Sequence, residues 1–144
     1  MKINSQVEPL ARNAIHAAVQ QDLAKLRAAL RAIPNDRAAH EAVALALAVT
    51  LLVMTDIHHG KPSDEQTRAV AAEIVRAEAW AQAGEEQVFN FLLRLVNGEP
   101  LAQTIAEEHI LLAFVAAANL LSSCRRDSEE WWDHLDRAEA ALET

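Results

Sequence analysis

The sequence predicts an all-α protein, a single-domain bundle of about six helices spanning residues 1–144. Three observations carry this. The three glycines and four prolines stand where helical segments would begin or end. No stretch alternates apolar and polar residues as a half-buried strand does. Apolar residues instead recur every three or four positions.

The first helix is expected from about Gln6 to Ile33. Ser5 and Glu8 would form its capping box, and Pro9 suits its first turn. Ile15, Val19, Leu23, Leu26, Leu30 and Ile33 make its stripe. Pro34 breaks the chain. Asn35 would cap a second helix over 36–59, and Gly60 would end it. Ser63 and Gln66 would cap a third, ending near Ala83. The fourth covers about Glu85 to Asn97, with Val88, Phe91, Leu92 and Leu95 on one side. The fifth is expected over 100–123, starting at Pro100. The sixth follows Asp127 or Ser128 and lines up Trp131, Leu135, Ala138 and Leu142.

The second and fifth helices are apolar almost all round, in Ala42–Met54 and Ile110–Leu121. A helix without a polar face is enclosed on every side. Either these two form a central pair, with Leu51 and Leu112 fully buried, or another chain covers one face.

At 144 residues, 51% of them hydrophobic, the chain is long and apolar enough for a sizeable core. Its single cysteine, Cys124, has no internal partner, which fits a reducing cytoplasm. No apolar stretch in MKINSQVEPLARN suits a signal peptide, and the run from Ala42 to Met54 is shorter than a membrane span. Arginine outnumbers lysine ten to three and alanine is abundant, as in GC-rich bacterial and phage genes. The net charge of −8 speaks against a phosphate-binding surface and for basic partners. Even Arg125-Arg126 is followed by Asp127, Glu129 and Glu130.

The stretch Asp56-Ile57-His58-His59 interrupts an apolar run. Cationic side chains in a last turn meet the negative end of the helix dipole, so the plain role of both histidines is capping. The alternative is a metal site. Asp56 and His59 share a face, but a catalytic zinc needs a third protein ligand. Glu107, Glu108, His109 or His134 would have to supply it. Glu-x-x-His, the di-iron motif of helical bundles, is absent from the sequence. There is no Gly-x-Ser-x-Gly elbow and no glycine-rich phosphate loop. No cofactor is therefore expected.

Thr55 to Gln66 resembles the acidic helix–loop–helix of the tellurite-resistance B family. His58 and His59 stand where that family passes quickly from Asp to Gly, so nothing is carried over. Arg12 and His16 fall one residue short of the Arg-x4-His signature of HEPN ribonucleases, which turns the histidine about 100° away.

The tryptophans remain. Trp80 shares a face with Glu73 and Arg76, either packed on a neighbour or exposed as an anchor. Trp131 and Trp132 are adjacent, so one narrow stripe cannot bury both. Tryptophan is enriched at interface hot spots. Trp80, Trp131, Trp132 and Leu135 are thus the interface candidates. The expectation is a non-enzymatic protein that binds another protein, or a second copy of itself, and neither nucleic acid nor membrane. The rival is a bundle holding a metal or small ligand, even a hydrolase, through the histidines and acids named above.

Overall fold

A computed structural model describes residues 1–99 and 107–144, with the side chains of Glu107 and Glu108 left aside. The expected start of the fifth helix at Pro100 lies outside the described residues. Those described form helices and no strand: α1 (Glu8–Val19), α2 (Leu23–Arg31), α3 (Asp36–His58), α4 (Asp64–Ala77), α5 (Glu85–Val96), α6 (Glu107–Ser123) and α7 (Trp131–Glu143). A short 3-10 turn, Ala79–Ala81, follows α4.

The predicted first helix is in fact two. Gln21 adopts a left-handed conformation with φ 58°, and the chain folds back. Asp22 then caps α2 by accepting a hydrogen bond from the Lys25 amide at 3.0 Å. The apolar stripe continues across the break, which is why periodicity alone hides it. Folding back lets Ile15 and Leu26 both reach the core. Ser5 is not a cap either; Val7 occupies that position and no side chain caps α1.

Other signals hold. Asn35 caps α3 through the Ala38 amide at 2.9 Å. Ser63 and Gln66 form a reciprocal capping box on α4. α3 ends in a left-handed residue, His59 at φ 56°, followed by Gly60 at φ 142°. α4 stops at Ala77, short of the expected end near Ala83, and tightens into the 3-10 turn. Arg68 ties α4 to α5. It lies 4.0 Å above the Phe89 ring centroid and pairs with Glu86 at 2.7 Å.

α6 is the axis of the bundle and packs against α1, α3, α4, α5 and α7. Every residue from Leu112 to Leu121 is buried, Phe114 fully. α3 is its principal neighbour. Thr50, buried in α3, returns its hydroxyl proton to the Ala46 carbonyl at 2.8 Å, so no polar group is stranded there.

α3 itself is not enclosed all round. Ala44, Leu47, Ala48, Leu51 and Leu52 follow helical spacing and form a half-buried apolar strip. Leu51 is therefore not fully buried as expected, whereas Leu112 is. At 23 residues, with an 18-residue window of mean hydropathy 1.8, α3 is long and apolar enough to cross a membrane by length and composition. Half of that window is buried within the bundle.

Arg137 on α7 forks onto Glu129, with both bonds at 2.9 Å. These bonds and one from the Arg126 amide hold the Glu129 carboxyl down to about 2. They lock the turn that sets the direction of α7.

Candidate functional site

Trp132 is the most exposed of the four interface candidates, at 46%. It meets Trp131 edge-on, with ring centroids 5.8 Å apart. Trp131 is half-buried and stacks on His16 of α1 at 5.5 Å. The pair thus divides its labour. Trp131 anchors α7 to α1, and Trp132 faces solvent beside it. Leu135 is 1% exposed and packs α7 into the core, so it has no surface left to offer a partner. Trp80 is half-buried, and its indole N–H donates to Glu78 Oε1 at 2.9 Å.

The described metal candidates are each engaged singly. His58 donates from Nδ1 to the Met54 carbonyl one turn back, at 2.8 Å. His134 is buried and donates from Nδ1 to the Leu121 carbonyl at 3.0 Å, closing the last turn of α6. His109 tilts against Phe91 at the other end of α6. Residues 109 and 121 are about 18 Å apart along that helix at 1.5 Å per residue. Asp56 and His59 are exposed at the end of α3. Among the described residues no group of three or more histidine, cysteine or acidic side chains could hold a metal. The side chains of Glu107 and Glu108 lie outside the described residues.

Replacing His58 and His59 together by glutamine is expected to cost about 0.3–1 kcal/mol, the worth of a dipole contact. Thermal unfolding of the double variant checks this. Elemental analysis finding one metal ion per chain, lost in that variant, would favour the metal-binding reading instead.

Two polar clusters were not singled out by the sequence. In the first, Arg12 of α1 reaches Glu8 at 2.6 Å, Asp136 of α7 at 2.7 Å and Glu139 of α7 at 3.2 Å. Three carboxylates share one guanidinium. Glu139 is buried, and among the described residues its Oε2 has no hydrogen-bond partner. Burial, and then the charge of Glu8, push its carboxyl up to about 7.

The second cluster surrounds Glu78, which is only 8% exposed. Its Oε2 accepts from Asn119 Nδ2 of α6 at 3.0 Å. Its Oε1 accepts from Trp80 and, at 3.4 Å, from Gln21 Nε2. The left-handed Gln21 also donates to the Ala77 carbonyl at 3.3 Å. The α1–α2 junction, the end of α4 and the end of α6 meet here. One member was legible: Asn119 is the lone polar residue between Ile110 and Leu121. A polar side chain in so apolar a helix needs a partner. Nothing in the alanine-rich run around Glu78 names it as that partner.

No known protein family, characterised protein or solved structure matches this chain.

Proposed function

We propose that this is a non-enzymatic, cytoplasmic protein that acts by binding another protein, as a regulator, inhibitor or assembly factor does. The observation that supports it most is Trp132, a large aromatic side chain nearly half exposed and braced by Trp131. A braced aromatic loses little side-chain freedom on binding, which is what an interface anchor requires. Ile57, 40% exposed at the end of α3, and the half-buried strip of that helix are further apolar surface on the molecule. The net charge of −8 favours basic partners over nucleic acid.

The test is affinity capture from the native host, run with wild type and W132A side by side. The expected result is a protein held by wild type and lost or strongly depleted on W132A, with helix content unchanged. Truncating a hot-spot tryptophan should weaken association by at least about 1 kcal/mol. An identical set of proteins on both columns would overturn the assignment of Trp132. If the partner is a second copy, light scattering will show a dimer that W132A weakens; a 15.8 kDa particle at high concentration would remove that version.

A further inference from the structure

We propose that the recess over Glu78 is a binding pocket for a primary ammonium group, the side chain of a lysine on a protein partner. This rests on the protein-binding reading above and names the partner's chemistry.

The recess has a volume of about 240 Å³ and is lined by Gln21, Glu73, Glu78, Asn119, Ser122 and Ser123, among others. Its carboxylate is unusual. Glu78 is buried, yet among the described residues it forms no ion pair. Its three donors are two amides and an indole, all neutral. A buried anion held only by neutral donors lacks the charge compensation that such groups ordinarily have.

Helix geometry adds to the same field. The recess borders the C-terminal ends of α1 at Val19, α4 at Ala77 and α6 at Ser123. Each end carries a negative partial charge that favours a cation. Glu73 lies at the edge, where Arg76 engages it. Carboxylate and helix ends thus all draw a positive group inward.

The free acceptors decide which cation. A carboxylate offers about four lone-pair positions. Oε1 already serves Trp80 and Gln21, and Oε2 serves Asn119, so roughly one position remains, on Oε2. An arginine fork needs two parallel acceptors and cannot find them on this group. An ammonium needs diverging acceptors. It can take one from Glu78, and Ser122 and Ser123 line the same recess and carry further oxygen acceptors. A lysine stem would also run past Val19 and Ala118, the apolar part of the lining.

The indole N–H of Trp80 and the side-chain amide of Asn119 both bond to the carboxylate, so their NMR signals report on it. Titration of the 15N-labelled protein with n-butylammonium should move both signals saturably, with a Kd on the order of 1 mM. Nα-acetyl-lysine methylamide should do the same, and n-butanol should not. E78Q keeps the size of the side chain, removes its charge, and should weaken n-butylammonium at least tenfold. Equal shifts from n-butanol and n-butylammonium on the wild type would overturn the proposal, whether or not E78Q folds. So would undiminished binding by a folded E78Q. Binding of n-butylammonium without the lysine derivative would overturn the lysine assignment in favour of a free amine. A pocket that binds both, in a protein whose capture shows no partner dependent on Trp132, would leave the pocket standing and the Trp132 interface rejected.

Discussion

Replacing Phe114 by alanine is expected to destabilise the protein by about 3–5 kcal/mol. Phe114 is fully buried in α6, the helix on which five others pack. Removing the ring takes away its transfer energy and leaves a cavity. The surrounding helices would have to move together to close it, and each is already held by the core on its other contacts. For a chain of this length the melting temperature should fall by roughly 10 °C or more, read by circular dichroism. Leu51→Ala is the comparison. Its side chain is only half-buried, on the outer strip of α3, so it should lose less. Equal losses at the two positions would mean that α3 is as enclosed as α6.

The second large effect depends on pH. Glu139 has its carboxyl pushed up to about 7, against an ordinary value of 4.5. The folded state therefore holds this proton more tightly than the unfolded chain. The resulting contribution is fully present below about pH 4.5 and is lost as pH rises through about 7. The groups facing Glu139 are Glu8 and Arg12 from α1 and Asp136 from its own helix. Burial is the largest cause of the rise; the charges of Glu8 and Asp136 add to it, and Arg12, already engaged by both of them, opposes it. The whole shift corresponds to about 3 kcal/mol. Solvent around Asp136 and Arg12 screens part of it, so roughly 1–2 kcal/mol is expected. Wild type should lose that much between about pH 5 and about pH 8. E139Q, neutral throughout, should lack this part of the loss and be the more stable protein at the upper end. Parallel unfolding curves for the two proteins across that range would show that Glu139 ionises normally.

Helix capping was the most readable feature, because it is local. Asn35, Ser63 and Gln66 satisfy amides only three residues away, and no tertiary contact is needed to identify them. The same locality failed at the first helix. Gln21 and Asp22 carry a turn, but polar residues at a helix surface look alike whether the chain continues or reverses there. Only the gain from folding α2 back beside α1 selects the reversal.

Apolar periodicity likewise identified α3 and α6 as the central material of the bundle. It could not rank them. α6 is enclosed and α3 keeps an outer strip, a difference set by how many neighbours each acquires. The tryptophan pair was legible as one side chain too many for a narrow stripe. Which ring stays outside was not, since His16 of α1 is what holds Trp131 in.

What the sequence by itself determined is the helical class, the caps of α3 and α4, the apolar helices at the centre and the acidic balance. Each follows from composition or from spacings of three and four residues, which the helix period converts directly into faces. Tertiary structure alone decided the two polar clusters. Glu78 meets Asn119 across 41 residues, and Arg12 meets Glu139 across 127. The burial that makes a carboxylate consequential is a property of what surrounds it. Three helix ends converging on Glu78, and two acids converging on Glu139, arise only when distant segments are brought together.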